Sequence, residues 1–252
     1  MTVATAVEPG IGRIVLDRPP LNILTREMMR AIRAELVRLA EQPDLRVLLV
    51  SAAGAHFSAG ADVGEHLPPH HLAMIPEFLE TVAALDAFPV PVVVAVRGKC
   101  LGAGFELVQA ADLIVAGEGA SFGQPEIALG VIPPAACVLL PDRLPRGLAA
   151  QLIYAGDPLS AAEALRWGLV ARVVPDAMVD HAALEDAQRL ARHSAVALRA
   201  AKRVVAGAAA GARNAALLRA GNIYQHELME TRDAVEGLRA FTEKRKPVWR
   251  HA

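Results

Sequence analysis

Two glutamates near glycine-rich segments are the residues of this sequence best suited to do chemistry. Glu106 follows the loop Arg97–Gly104, which has glycines at positions 98, 102 and 104, and Glu126 ends the later segment Ser121–Glu126. A glycine loop that leads into a helix leaves backbone N–H groups free, and the helix start adds a partial positive charge. Such donors beside two carboxylates predict proton transfer next to a carbonyl whose oxygen becomes negatively charged.

The elements on either side of this loop would fix the position of Glu106. Val90–Val96 is a β-branched run typical of a buried strand, and Phe105–Ala111 is expected to form a helix that starts from the loop. The glycines match neither the dinucleotide-binding pattern nor the phosphate-binding P-loop. Taken alone, the loop is therefore equally consistent with a tight turn between a strand and a helix.

A second loop, Ala55–Asp62, follows a predicted buried strand at Val47–Val50. Small residues at positions 58–61 allow a ligand to approach the main chain closely. The backbone N–H of Ala61 could therefore join that of Ala103 on a single oxygen. Two donors from two separate strand ends are what an enolate or a tetrahedral oxyanion requires.

Composition limits the classes of function that remain. The chain has 252 residues, 54% of them hydrophobic, and a net charge of −1, which is enough apolar material for one large domain or a domain with an appendage. A nearly neutral chain has no global field to recruit nucleic acid or a membrane. It has two cysteines, no secretory leader at the start of the sequence and no apolar run of membrane-spanning length, so we expect a cytoplasmic protein with free thiols.

The rest of the chain predicts an α/β fold with a helical C-terminal part. A hairpin is expected from Thr2–Val7 and Gly12–Leu16, a helix at Arg26–Glu41 capped by Thr25, and a strand at Leu113–Ala116. Beyond residue 145 the predicted elements are a strand at Leu169–Val173 and helices at 147–154, 160–167 (starting in a capping box at Ser160), 177–192, 195–208 and 214–245. The Ala-rich tail is expected to dock on its own core or on a neighbouring subunit.

Three motifs resemble, in order and spacing, the enoyl-CoA hydratase/isomerase (crotonase) family. They are His56–Asp62, Gly98–Glu106 and Phe122–Gly130, and the later segments Leu159–Ala164 and Glu236–Lys246 are also similar to that family. The resemblance covers nearly the whole chain. It implies an α/β, ClpP/crotonase-like spiral of ββα repeats over residues 1–195, which carries the active site, and a C-terminal α-helical oligomerisation region over residues 196–252. It also implies a homotrimer or a dimer of trimers.

The resemblance also implies a reaction, the reversible addition of water to the double bond of an enoyl-CoA thioester. The N–H groups of Ala61 and Ala103 would bind the thioester oxygen and stabilise the enolate formed when water adds to the β-carbon. Glu106 and Glu126 match the two acid/base glutamates, one deprotonating water and the other protonating the α-carbon. This is physically reasonable, because two carboxyls in one small pocket do not both ionise easily near neutral pH.

Contacts to the substrate are implied for further residues of the matched segments. These are Ala59, Gly60, Asp62, Val63, Gly102, Pro134 and Lys244. The resemblance implies no cofactor beyond the coenzyme A of the substrate and no metal.

The sequence departs from the family pattern at several positions. The segment Ile132–Cys137 places Pro134 where most hydratases have a glycine whose N–H helps to hold the attacking water, and proline has no N–H to donate. Water must therefore be held differently, or the substrate differs. Gly64 replaces a lysine that faces coenzyme A, and an aromatic position of the family falls on Gln225, next to Tyr224.

Two segments, Gly60–His66 and Leu129–Ala136, resemble the subgroup that hydrates cyclohexa-1,5-diene-1-carbonyl-CoA. A conjugated cyclic dienoyl thioester would account for the Pro134 departure. Three hypotheses stay open: a hydratase that uses both glutamates, an isomerase or other acyl-CoA enzyme on the same oxyanion hole, and a non-catalytic acyl-CoA-binding or protein-binding member. The presence of both Glu106 and Glu126 favours the hydratase.

Two further patterns have weaker support. Gly119–Gly123 matches the G-x-S-x-G nucleophile motif of serine hydrolases, but the residues after Ser121 are not typical of the helix that this motif requires. His66 and His70 have the spacing of a metal-binding pair on a helix, but two prolines lie between them. We expect these histidines to lie on a solvated or substrate-facing loop.

Overall fold

The computed structural model describes residues 3–251, with the side chains of residues 6, 7 and 207–210 left aside. Its strands are β1 (Val3–Glu8), β2 (Ile11–Leu16), β3 (Val47–Ala52), β4 (Val92–Val96), β5 (Lys99–Leu101), β6 (Leu113–Gly117), β7 (Ser121–Gly123), β8 (Leu159–Ser160) and β9 (Arg172–Val174).

The α-helices are α1 (Arg26–Ala40), α2 (His71–Asp86), α3 (Ala103–Gln109), α4 (Ala136–Arg143), α5 (Arg146–Ala155), α6 (Ala161–Arg166), α7 (Val179–Ala191), α8 (Ala195–Ile223) and α9 (Arg232–Thr242). Short 3₁₀ segments cover Val63–His66, Pro125–Leu129 and Asp176–Met178, and a π-helical turn covers Tyr224–Leu228.

The strands form two sheets that the chain visits alternately. The larger sheet has the order β1-β2-β3-β4-β6-β9, and the smaller one has the order β5-β7-β8. The predicted hairpin β1–β2 is antiparallel, as expected, and the other pairs of the larger sheet are parallel. The chain passes from β4 to β5 and then into α3, and from β6 to β7. This repeated step from one sheet to the other builds the predicted α/β spiral.

The central strands are buried on both faces, as parallel strands covered by helices must be. Every residue of β3 and β4 is buried. Leu48, Val50 and Val94 face the main core, whereas Val47 and Val93 face a second cluster formed with α7. The sheet is therefore a rigid support for the two loops that leave the carboxyl ends of β3 and β4.

The predicted strand Leu169–Val173 is wrong at its start, since β9 covers Arg172–Val174. The N–H groups of Leu169 and Val170 donate to the carbonyl of Ala164, at distances of 2.9 and 3.2 Å. These two residues therefore terminate α6 and are not available for strand pairing.

The two predicted helices at 195–208 and 214–245 are also wrong in their boundaries. The backbone of α8 is continuous for 29 residues. The chain then passes through the π-helical turn, and Thr231 caps α9 by accepting a hydrogen bond from the N–H of Ala234. That helix ends at Thr242, because Lys244 adopts a left-handed backbone conformation with φ of 54°.

The helix predicted at Phe105–Ala111 begins two residues earlier, at Ala103. The division into residues 1–195 and 196–252 stays a prediction; α8 packs against α2 and α4 of the same chain. Across residues 3–251, none of the helices combines the length and the apolar character needed to cross a membrane.

Candidate active site

A cavity of about 560 Å³ contains both predicted catalytic carboxyls. Its wall is mainly apolar and is shared by the loops after β3 and β5, the N-terminal half of α2, the segment before α4, and the end of the chain. Besides Glu106 and Glu126, the polar side chains that line it are those of His66, Lys99 and Arg245. Lys99 and Arg245 are exposed, so the two cations lie at the opening of the cavity.

The two loops predicted to supply backbone donors meet at this cavity. A Cβ built on Gly60 would lie 3.9 Å from the backbone nitrogen of Ala103, so the two main chains are adjacent. Ala61 and Ala103 both line the cavity. Among the residues that the structure describes, neither N–H has an acceptor. Two free amide donors on one cavity wall suit an oxygen that gains negative charge.

Hydrogen bonds between the loops hold the two amides in place. The N–H of Leu101 donates to the carbonyl of Ser58 at 2.9 Å, and the N–H of Lys99 donates to Nδ1 of His56 at 3.1 Å. Asn22, which the sequence analysis did not single out, is fully buried and donates from Nδ2 to the carbonyls of Ala53 and His56 at 2.8 Å each. The loop Ala55–Asp62 is thus held both by Asn22 and by the backbone N–H groups of Lys99 and Leu101.

Glu106 lies in the first turn of α3 and is 2% exposed. Its Oε1 accepts hydrogen bonds from the N–H groups of Ala135 (2.7 Å) and Ala136 (3.0 Å). Burial raises the pKa of this carboxyl to about 7, while the two N–H donors act in the opposite direction because they favour the ionised form. Glu106 can therefore exchange a proton near neutral pH.

Glu126 lies in the 3₁₀ segment Pro125–Leu129, against Gly102. A Cβ on Gly102 would be 2.8 Å from Oε1 of Glu126, and Gly102 has φ of 54°, so both space and backbone conformation require glycine there. Burial raises the pKa of Glu126 well above its usual value, and the negative charge of Glu106 raises it further. Glu126 consequently retains its proton when Glu106 has lost its own.

Two buried glutamines support Glu126 from behind. With its nitrogen toward Glu126, the amide of Gln124 donates to Oε2 at 3.1 Å and to Oε1 at 3.3 Å, and its oxygen accepts from Nε2 of Gln109 at 2.9 Å. The sequence analysis missed both glutamines. The available signal was a polar residue at position 109, one helical turn after Glu106 in an otherwise apolar segment.

His66 presents a further polar group to the cavity, which agrees with the expected substrate-facing position. Its Nδ1 lies 2.9 Å from the carbonyl oxygen of Asp62, and because a carbonyl only accepts, Nδ1 carries the proton. Burial lowers the pKa of this imidazole, so the ring is neutral and Nε2 offers a lone pair. The ring of Tyr224 packs beside it, with a centroid distance of 6.2 Å.

Most of the predicted substrate contacts line the cavity, but two do not. Ala59, Gly60, Val63, Gly102 and Pro134 belong to its wall. Asp62 instead caps the 3₁₀ segment Val63–His66, its Oδ1 accepting from the N–H of Gly64 at 2.8 Å. Lys244 is exposed and lies outside the wall, where Arg245 is found. The roles assigned to Asp62 and Lys244 remain predictions.

The structure supports neither the serine-nucleophile motif at Gly119–Gly123 nor the metal-binding pair of His66 and His70. Ser121 begins strand β7 and no helix follows it directly, so it lacks the strand-to-helix turn of a nucleophile elbow. His70 is exposed at the start of α2. Within residues 3–251, no three His, Cys, Asp or Glu side chains are grouped so that they could hold a metal ion. Cys100 and Cys137 are both free thiols, as expected.

Comparison with known proteins agrees with this geometry. The sequence profile of the enoyl-CoA hydratase/isomerase family matches residues 6–252. The chain belongs to this family. It is 40% identical over 237 residues to the cyclohexa-1,5-dienecarbonyl-CoA hydratase of Thauera aromatica, a match that covers 94% of this chain and 92% of the relative. It is also 36% identical to the carnitinyl-CoA dehydratase of Salmonella typhi, with 95% of each chain covered.

Solved structures of enoyl-CoA hydratase family members have the same fold. The crystal structure of an enoyl-CoA hydratase/isomerase from Pseudoalteromonas atlantica superposes with a TM-score of 0.91 at 30% identity, covering 99% of this chain and all of the other. The crotonase fold and the hydratase prediction are thereby confirmed. The chain has an enoyl-CoA hydratase-type activity, that of a hydro-lyase, and its substrate is an acyl-CoA thioester.

Proposed function

We propose that Ala61, Ala103, Glu106 and Glu126 carry out the hydration. The thioester oxygen would accept hydrogen bonds from the N–H groups of Ala61 and Ala103. The observation that carries this proposal is that one cavity is shared by two carboxyls with raised pKa values and two backbone donors that have no acceptor among the described residues. Charge that develops on the oxygen is stabilised there because the donors are already in place and the wall is mainly apolar.

Different surroundings assign different roles to the two glutamates. Glu106, with two N–H donors on Oε1, is the group that ionises first and is the base. It takes a proton from water as the water oxygen bonds to the β-carbon, and the electron pair of the double bond moves toward the thioester oxygen. Glu126, which keeps its proton longer, delivers that proton to carbon as the enolate collapses. Exchange with solvent then restores both carboxyls. The steps are proton transfers, so we expect no cofactor beyond the coenzyme A of the substrate.

We further propose that the acyl group is a conjugated cyclic dienoyl. The support is the 40% identity to a cyclohexa-1,5-dienecarbonyl-CoA hydratase and the apolar wall that Pro134 helps to form. In a cyclic dienoyl thioester the negative charge extends along the second double bond, so Glu126 can deliver its proton further from the thioester than in a linear substrate. Lys99, at the opening, is suitably placed for the phosphates of coenzyme A in the absence of a lysine at position 64, whereas the charge of Arg245 is paired there with Glu236 and Glu243.

Two properties of the whole protein belong to this proposal. Apolar side chains such as Val196 (77% exposed) and Leu218 (62% exposed) lie on the surface of α8, which supports assembly into a homotrimer or a dimer of trimers. A cytoplasmic location would fit the two free thiols.

The experiment that tests this proposal is turnover on a panel of thioesters, namely linear 2-enoyl-, linear 3-enoyl- and cyclic dienoyl-CoA. We expect the highest kcat/KM on the cyclic dienoyl thioester, and a decrease of at least ~10² in kcat for Glu126→Gln, because general acid catalysis is removed while binding persists. Preference for a linear 2-enoyl thioester would refute the acyl assignment. Wild-type turnover by Glu126→Gln would refute the catalytic one.

A further inference from the structure

The side-chain amides of Gln124 and Gln109 form a row behind Glu126 that leads away from the active-site cavity. Gln124 is fully buried and Gln109 is 1% exposed. One end of the Gln124 amide touches both carboxyl oxygens of Glu126, and the other end lies 2.9 Å from Nε2 of Gln109. An unpaired polar atom in a buried site is unfavourable, so the facing ends of the two amides must be a donor and an acceptor.

Which end of the Gln124 amide faces Glu126, its N–H or its oxygen, depends on whether Glu126 holds a proton. An ionised carboxylate only accepts hydrogen bonds, so it requires the N–H of Gln124. A protonated carboxyl has an O–H to donate, which the amide oxygen of Gln124 can accept after the amide rotates by half a turn. When the N–H of Gln124 faces Glu126, its oxygen faces Gln109, which must offer its N–H. When the Gln124 amide is reversed, Gln109 must offer its oxygen.

Gln109 can offer either its N–H or its oxygen to Gln124, because the amide atom that does not contact Gln124 has no hydrogen-bond partner among the described residues. Its Oε1 is buried and has no hydrogen-bond partner among the described residues. Among the described residues, rotation of the Gln109 amide therefore breaks only its hydrogen bond to Gln124, and that bond re-forms with donor and acceptor exchanged. Gln109 also lines a second cavity of about 280 Å³, which shares no lining residue with the active-site cavity and whose charged lining residues are Asp86, Asp112, Asp142, Arg143, Lys202 and Arg213.

We propose that Gln109 is a positioning residue for Glu126, and that the amides of Gln109 and Gln124 reverse together as Glu126 gains and loses its proton. In one orientation the row donates to the carboxylate, and in the other it accepts from the carboxylic acid. The proton itself does not travel along the amides; it moves only between Glu126 and the substrate carbon or solvent. This inference rests on the role proposed above for Glu126.

Other titratable groups also act on Glu126. Burial raises its pKa, and the charge of Glu106 on α3 raises it further. Burial raises the pKa values of Cys137 on α4 and of Tyr224 in the π-helical turn, and the charges of Glu106 and Glu126 raise both further. Burial and Glu106 therefore set the pH at which Glu126 titrates, whereas Cys137 and Tyr224 stay uncharged over that range. They do not contact the far end of the Gln124 amide, which is occupied by Gln109.

Neutron diffraction on the wild-type protein tests the reversal directly, because it locates the exchanged deuterium atoms on each amide. Crystals would be compared well below and well above the pH at which Glu126 titrates, as fixed beforehand by infrared spectroscopy of its protonated carboxyl band against the Glu126→Gln variant. We expect the N–D of Gln124 to point at Glu126 at high pH and at Gln109 at low pH. Identical orientations at both pH values would overturn the proposal, whatever the catalytic role of Glu126 proves to be.

Kinetics of Gln109→Met test whether Gln109 acts through Gln124. We expect kcat to fall about tenfold with KM within about twofold, since one buried hydrogen bond is lost without a change in the substrate contacts. In the double variant with Gln124→Met, kcat should equal that of Gln124→Met alone. Gln151→Met, at an exposed glutamine of α5, is the matched control and should behave as wild type.

The outcomes separate this inference from the proposed function. If the fold-decreases in kcat of Gln109→Met and Gln124→Met multiply in the double variant, Gln109 acts independently of Gln124, which contradicts the proposal. Full turnover by Glu126→Gln would instead contradict the assigned function. If Gln109→Met does not fold, the neutron experiment decides, because it needs no variant of either glutamine.

Discussion

At the scale of single residues, the site places acidic groups where burial penalises their charge. Glu106 is 2% exposed, and its carboxyl has a pKa of about 7 instead of 4.5. A group of this kind favours catalysis near neutral pH and at the same time opposes folding, because the unfolded chain ionises more easily. Active sites commonly combine activity with such a stability cost.

Glu106→Gln should therefore lower activity and raise stability. A raised carboxyl pKa means that the contribution of Glu106 to folding is fully present below pH 4.5 and is lost as the pH rises through about 7. Glutamine has no charge to bury, and its oxygen can still accept from Ala135 and Ala136. We expect the variant to exceed wild type in unfolding free energy by about 3 kcal/mol above pH 7, with no difference well below pH 4.5, and kcat to fall by at least ~10².

Denaturant unfolding of both proteins across this pH range is the measurement. Because the two proteins share their other titrating groups, the difference curve isolates Glu106 together with its effect on Glu126. A variant that is less stable than wild type at high pH would show that the folded protein accommodates the charge of Glu106 without penalty.

The residues predicted from sequence were those that short motifs define. Ala61, Ala103, Glu106 and Glu126 each lie within a few positions of the glycines that shape their loops, so local spacing was sufficient to select them. The role of Gln109 depends on its contact with Gln124, and the surroundings of His66, a residue that the sequence placed only on a solvated or substrate-facing loop, depend on the distant ring of Tyr224. A polar residue within an apolar segment marks position 109, but the local sequence does not reveal which group its side chain contacts.

At the scale of elements, the accuracy of prediction follows the clarity of the local signal. The capping box at Ser160 and the β1–β2 hairpin were identified, because each depends on residues close in sequence. Helix α2 was not predicted. It contains Pro76 and packs against both α1 and α8, so it is apolar on more than one side and has no clean amphipathic stripe.

The 3₁₀ segment after Ala61 gives a prediction at this scale. Its cap, Asp62, accepts from the N–H of Gly64, whereas the sequence assigned Asp62 to substrate binding. If capping is its role, Asp62→Asn should leave KM within about twofold of wild type, because asparagine is an equally good cap. Asp62→Ala should lower the unfolding free energy by about 1 kcal/mol. Steady-state kinetics and denaturant unfolding measure the two effects, and a tenfold higher KM for Asp62→Asn would instead support a contact with substrate.

At the scale of the whole molecule, α8 leaves apolar surface uncovered. Val196 and Val204 are 77% and 80% exposed and are separated by about two helical turns on one side of the helix. A monomer that exposed such side chains along a long helix would have an unsatisfied apolar face. Assembly of several copies would bury it, which agrees with the oligomer implied by the sequence.

The double variant Val196→Glu and Val204→Glu should therefore dissociate the assembly, because burying two unpaired charges at an interface costs several kcal/mol. We expect light scattering to give the mass of a trimer or hexamer for the wild type, built from chains of 26.6 kDa, and a lower mass for the variant. Val37→Glu is a suitable control, since Val37 is 62% exposed but lies on α1. A wild-type protein that is monomeric at micromolar concentration would contradict the proposed assembly, and an unchanged mass for the double variant would show that this side of α8 is not the interface.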